Sequence, residues 1–101
     1  MSTHVVMTFQ AKPDQVEPAL EFLADFQDRS IQAGALTASL MQDEDDPNRI
    51  LEEEVWQTTD EHKRFLRATA EGTLKPLEGL LFVPYEVHYF DTVKYSRNRQ
   101  R

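Results

Sequence analysis

Apolar and polar residues alternate through Val5-Val6-Met7-Thr8-Phe9-Gln10, with positions 5, 7 and 9 on one face and His4, Val6, Thr8 and Gln10 on the other. A period of two in a run of strand-forming residues predicts a strand. Lys12-Pro13-Asp14 turns the chain, and the period then lengthens. Val16, Ala19, Leu20, Phe22, Leu23 and Phe26 recur at helical spacing. Asp14 stands as an N-cap with Glu17 three residues on, and Pro18 falls in the first turn. Gly34 supplies the stop, so the pattern predicts a helix over 15–32.

Alternation returns at Leu36, Ala38 and Leu40, a second strand. The acidic stretch Asp43-Glu44-Asp45-Asp46-Pro47-Asn48 is too charged to bury and reads as a hairpin loop. The third strand, Ile50 to Thr58, carries the single tryptophan and three consecutive glutamates. Thr58 and Glu61 have capping-box spacing, and His62, Phe65, Leu66, Thr69 and Ala70 form the inward face of a second helix that ends near Gly72. Thr73 to Leu80 reads as a short helical or irregular piece interrupted by Pro76 and closed by Gly79. Leu81 to Phe90 is the last strand, with Tyr85, Val87 and Tyr89 on one face and Glu86, His88 and Phe90 on the other. Pro84 cannot donate to a ladder, which places this strand at an edge.

The order strand, helix, strand, strand, helix, strand predicts an α+β domain of the ferredoxin-like βαββαβ type, with a four-stranded antiparallel sheet of order 4-1-3-2. Strands one and three, joined through a helix, are read as neighbours that can run parallel. Both helices lie on one sheet face. The other face is bare unless a second copy covers it, so a homodimer is expected.

At 101 residues the chain has room for one domain, read as residues 1–93 with a basic tail at 94–101. The net charge of −7 and the confinement of basic clustering to that tail argue against nucleic-acid binding. There is no cysteine, hence no disulfide, thiolate metal site or cysteine nucleophile. The N-terminal residues lack a basic n-region and an h-region, and no run approaches the roughly 18–20 apolar residues of a membrane span. A cytoplasmic location is expected. The acidic loop lacks the alternate ligands, central glycine and closing glutamate of a calcium loop, and no histidine pair has zinc spacing. No metal or cofactor is expected.

The candidate chemistry sits on the third strand and around it. Trp56 is either core or an aromatic wall for a flat ligand. Glu54 shares its face with Trp56 and Glu52, whereas Glu53 points the other way. A carboxylate on a central strand is costly to bury unless paired or hydrogen-bonded. The glutamates therefore imply either buried basic partners or a polar cavity. His62, one turn after the helix cap, and His88, on the edge strand, are each either surface residues or bases. No serine or carboxylate near either completes a triad.

Lys12-Pro13-Asp14, Asp45-Asp46-Pro47-Asn48-Arg49, Glu54-Val55-Trp56-Gln57-Thr58 and Val87-His88-Tyr89-Phe90 together resemble the antibiotic biosynthesis monooxygenase family of dimeric α+β barrels, over residues 4–91. The resemblance implies two sheets paired face to face and a ligand cavity between sheet and helices. It also implies cofactor-free oxidation of aromatic polyketides or quinols with O₂, as some members perform. The chain departs from the family's pattern in places. Gln32-Ala33-Gly34-Ala35 stands where many members have Pro-Gly-Cys, and Phe65 stands where a helix histidine is common. The first strand offers only His4, Thr8 and Gln10 where haem-degrading members place an asparagine, so haem degradation is not implied.

Such an oxygenase needs an aromatic slot, one base and one donor to the forming oxyanion. Trp56, Phe22, Phe65 and Phe82 are candidates for the slot, His62, His88 or Glu54 for the base, and Tyr85 or Tyr89 for the donor. The competing expectation is a non-catalytic dimeric module that binds a small apolar ligand or a partner protein. A regulatory ferredoxin-like domain is a third reading, but the chain has no room for an attached effector domain.

Overall fold

The computed structural model describes residues 2–70, 74–94 and 96–99. In chain order the elements are β1 (Thr3–Gln10), α1 (Val16–Ala33), β2 (Thr37–Gln42), β3 (Arg49–Trp56), α2 (Thr59–Ala70), α3 (Lys75–Glu78) and β4 (Glu86–Asp91). The strands form one sheet in the order β2-β3-β1-β4, which is the expected ferredoxin-like arrangement. Every neighbouring pair is antiparallel, including β1 with β3, so the parallel reading of that pair is corrected. The reason is topological. The α1 crossover makes β2 run in the direction of β1, and the hairpin then reverses β3 against both.

Alternation along the strands divides the sheet into two faces. Val5, Met7 and Phe9 of β1 and Ile50 and Trp56 of β3 are buried with Ala19, Leu23 and Phe26 of α1 and with Leu74, Leu77 and Leu81. This is the core, between sheet and helices. The opposite face carries half-buried Val6, Leu51 and Val55 and exposed Met41 and Phe90. Two polar pairs sit among them. His4 Nδ1 meets Glu53 Oε2 at 3.1 Å and its Nε2 meets Thr92 Oγ1 at 3.1 Å, while His88 Nε2 meets Glu86 Oε1 at 3.2 Å.

Local signals explain most boundaries. The N–H of Ala35 bonds the carbonyl of Ser30 at 2.9 Å and that of Gly34 bonds Ile31 at 3.2 Å, a Schellman closure of α1. Gly34 has φ 135° there, a left-handed turn that favours glycine. The expected cap at Asp14 does not form: α1 begins at Val16 behind Gln15, with no side-chain cap bond. The Thr58 cap does form, Oγ1 accepting the Glu61 N–H at 3.1 Å.

The last strand is shorter than expected. Leu81 makes only an isolated bridge to Ala11, and the ladder starts at Glu86, two residues past Pro84. β4 is nonetheless an edge strand. The expected helix end near Gly72 lies outside the described residues. The described part of the basic tail is exposed. Among the described residues no helix is long and apolar enough to cross a membrane.

Candidate functional site

β3 enters the core with a polar triplet on its inner face. Glu52, Glu54 and Trp56 point towards the helices and are buried, whereas Glu53 is on the open face, as the alternation predicts. The register sets their lateral neighbours. Val5 of β1 and Ala38 of β2 flank Glu54, and Met7 and Leu40 flank Glu52. Of the sequence's two explanations for these glutamates, buried basic partners are not found among the described residues. The ion pairs among the described residues lie on the open face, and no lysine or arginine reaches Glu52 or Glu54. Their partners are neutral: Trp56 Nε1–H donates to Glu54 Oε1 at 2.8 Å, and Gln27 Nε2–H of α1 donates to Glu52 Oε2 at 3.2 Å. Burial pushes the Glu52 carboxyl up to about 10, with the hydrogen bond to Glu54 and that group's charge adding and Gln27 opposing.

The Thr58 cap starts α2 so that His62, one turn on, faces inward. The surface reading of His62 is corrected, because the ring is fully buried. Nδ1 lies 2.9 Å from Tyr89 Oη of β4. The imidazole meets the Trp56 ring edge-on at 5.4 Å and the Tyr89 ring at 5.5 Å. Phe65, almost one turn further along α2, packs on Trp56 at 5.5 Å and on Phe26 of α1 at 5.4 Å. Burial lowers the His62 pKa from its ordinary value, and the charge of Glu54 partly opposes this. The ring is therefore neutral at pH 7. Burial also raises the Tyr89 hydroxyl, keeping its proton in place. Lys63 covers that ring, its Nζ 5.5 Å from the centroid.

Three buried side-chain atoms among the described residues have no hydrogen-bond partner: Glu52 Oε1, Glu54 Oε2 and His62 Nε2. All three belong to this cluster. Buried polar atoms are normally satisfied, so their concentration in one place marks it as more than packing. The cluster is closed to solvent. An outer depression of about 490 Å³, lined by Ala33, Glu61, Arg64, Phe65 and Ala68, shares Phe65 with it.

Of the residues singled out from the sequence, the fold brings together Glu54, Trp56, His62, Phe65 and Tyr89. It does not bring in His88, which is exposed on the opposite sheet face beside Glu86 and Phe90. Phe82 is 70% exposed and lines a separate depression of about 550 Å³ with Leu81, Val83, Pro84 and Tyr85. Tyr85 packs on Phe9 at 5.8 Å, and Phe22 is half-buried on α1 with the Arg29 guanidinium 6.0 Å from its ring centre. The sequence reading left Gln27 out of the site. Gln27 had a legible signal, since it continues the inward stripe Leu23, Phe26, Ser30 at helical spacing as a polar residue.

The sequence matches the model of the family described as antibiotic biosynthesis monooxygenase over residues 2–71, more than half of its length. The chain belongs to this family. Solved structures agree on the fold. A Deinococcus radiodurans protein bearing the same family name superposes with TM-score 0.84 at 14% identity, covering 97% of this chain and 99% of its own. A Nitrosomonas europaea protein of that name gives 0.82 at 16%, covering 95% and 94%. A conserved protein from Methanosarcina mazei gives 0.80 at 16%, covering 89% and 91%. At these identities the likeness carries the fold alone. Among curated proteins none matches the chain. The cluster described above lies between sheet and helices.

Proposed function

We propose that this family member is a cofactor-independent monooxygenase for a small aromatic compound, of the anthrone or hydroquinol type, and that His62 is its base. One observation carries the reading: the buried, unpartnered Nε2 of a neutral histidine, set among Trp56, Phe65 and Tyr89. In the base-competent tautomer the ring proton sits on Nδ1 and is donated to Tyr89 Oη, which leaves the Nε2 lone pair for substrate. His62 takes a proton from the activated C–H or O–H. The resulting anion passes one electron to O₂, and recombination of the radical pair forms the C–O bond of a peroxide. For an anthrone methylene, loss of water gives the ketone, so that R₂CH₂ and O₂ become R₂C=O and H₂O. The apolar walls keep water from the anion.

Phe65 stands between the outer depression and the cluster, so its rotation is the route by which substrate enters. Trp56, the single tryptophan, reports on that step. Titration with an anthrone or hydroquinol is expected to quench its fluorescence saturably. Quenching that is merely linear in ligand, or equal for free indole, contradicts a site at Trp56.

The closure of the cluster favours a second reading, a non-catalytic module in which these polar groups fix the packing and the ligand or partner binds elsewhere. That reading predicts binding without oxygen consumption. Both readings share one assembly. Half-buried Val6, Leu51 and Val55 with exposed Met41 and Phe90 form an apolar band on the helix-free face, suited to a second copy of the sheet. Light scattering at micromolar concentration is expected to give the dimer mass, and Leu51→Asp the monomer mass. A monomeric wild-type protein would overturn this assembly.

A further inference from the structure

We propose that Glu52 and Glu54 hold one proton between them, carried by Glu52, and that the pair positions the site by tying α1 to the Trp56 indole and setting a single negative charge beside His62. Only the effect on His62 rests on the oxygenase reading. The tie itself stands without it.

The geometry leaves few alternatives. Both carboxyl groups are fully buried in the centre of the sheet. Their surroundings among the described residues, element by element, contain no cation. β1 offers Val5 and Met7, β2 offers Ala38 and Leu40, and α1 offers the neutral amide of Gln27. From α2 comes neutral His62, and from β3 itself Glu53, whose charge on the far face opposes ionisation. Two adjacent anions in such surroundings repel each other with nothing to compensate. Of the four carboxyl oxygens, one accepts from Gln27 and one from Trp56. The remaining two, Glu52 Oε1 and Glu54 Oε2, are the two left without donors, and the side chains lie within hydrogen-bonding reach of each other. A single proton satisfies both. The result is a continuous chain from Gln27 Nε2–H through the Glu52 acid and the Glu54 carboxylate to Trp56 Nε1–H.

Once the carboxyl pair is closed in this way, His62 Nε2 is the one atom of the three still open. The residual charge of the pair raises the basicity of His62 against the effect of burial, and it stabilises the imidazolium formed when that ring accepts a proton. Glu52 touches neither substrate nor His62 in this scheme. It acts through Glu54 and Trp56, as a positioning residue.

The test uses the full-length protein with Glu52→Gln and the double variant Glu52→Gln/Glu54→Gln, and none of its readouts requires turnover. Glutamine at 52 keeps one acceptor for Gln27 and one donor for Glu54, so it mimics the protonated acid. Infrared difference spectra at neutral pH are expected to show a protonated carboxylic acid in the wild type that Glu52→Gln removes. In proton–nitrogen spectra the Trp56 indole resonance is expected to stay in place in Glu52→Gln. The His62 imidazole, assigned against His62→Phe, is expected to titrate unchanged in Glu52→Gln and about one pH unit lower in the double variant. Absence of the acid band overturns the proposal. So does a His62 titration in Glu52→Gln as low as in the double variant, or identical titration in all three proteins. If the double variant does not fold, the acid band and the Glu52→Gln titration decide the matter alone.

Discussion

Replacing His62 with alanine is expected to lower turnover of an anthrone or hydroquinol by about 10²- to 10⁴-fold, the range contributed by a positioned general base. The loss falls on kcat, because the aromatic walls that hold the substrate remain. The pH profile carries a second signature. His62 works as a base only when neutral, and burial lowers its pKa. The acid limb of kcat/KM therefore lies below the ordinary histidine value of about 6.5. Tyr89→Phe removes the acceptor that holds the Nδ1 proton in place, and a smaller loss, about tenfold, is expected. Circular dichroism and the thermal midpoint separate this from unfolding. A His62→Ala protein that folds and turns over at the wild-type rate would remove His62 from the chemistry.

The second large effect is on stability, and it depends on pH. The Glu52 carboxyl has an ordinary value of 4.5 and is raised to about 10 in the fold. A raised carboxylate pKa means that the folded state binds a proton the unfolded chain has released. Its contribution is unpenalised below about pH 4.5 and becomes steadily less favourable as pH rises towards 10. At pH 7 the gap corresponds to about 3 kcal/mol. Glu52→Gln keeps the hydrogen bonds and needs no proton. It is therefore expected to match the wild type near pH 4 and to exceed it by about 1–3 kcal/mol at pH 7. For a domain of this size that is a rise of roughly 5–15 °C in midpoint. Glu52→Ala leaves Gln27 and Glu54 unsatisfied and is expected to be destabilised by about 1–3 kcal/mol near pH 4, where both side chains at position 52 are neutral. A Glu52→Gln protein less stable than wild type at pH 7 would mean that the fold requires an anion there.

The sheet and its order were legible because alternation and helical spacing are strong along this chain, and because Gly34 and Thr58 end and begin their helices by the mechanisms their residue types suggest. The direction of β1 against β3 was misread by treating adjacency through a helix as sufficient, when the crossover and hairpin together require antiparallel pairing. The face shared by Glu52, Glu54 and Trp56 followed from a period of two. What sat opposite that face did not, since the choice between a cation, a cavity and a shared proton depends on which residues α1 and α2 lower onto it. His62 lay on the inward stripe of α2, but a polar residue near a helix start is as easily read as surface. Its burial becomes visible only once Tyr89, 27 residues away, is seen to receive it. His88 and Phe82 looked equivalent to His62 and Phe65 by residue type. The sheet face separates the first, and the departure of the chain from the sheet before β4 leaves the second in solvent.

As an oxygenase, the protein opens the closed cluster around His62 to an aromatic substrate and delivers it to O₂ without a resident cofactor. The most direct measurement supplies the purified protein, stripped of metal and flavin, with anthrones and hydroquinols under ¹⁸O₂ and follows the product by mass spectrometry. One labelled oxygen is expected in the product and the other in water, with O₂ uptake abolished in His62→Ala. Saturable quenching of Trp56 with no O₂ uptake on any of these compounds would contradict it and leave the binding module in its place.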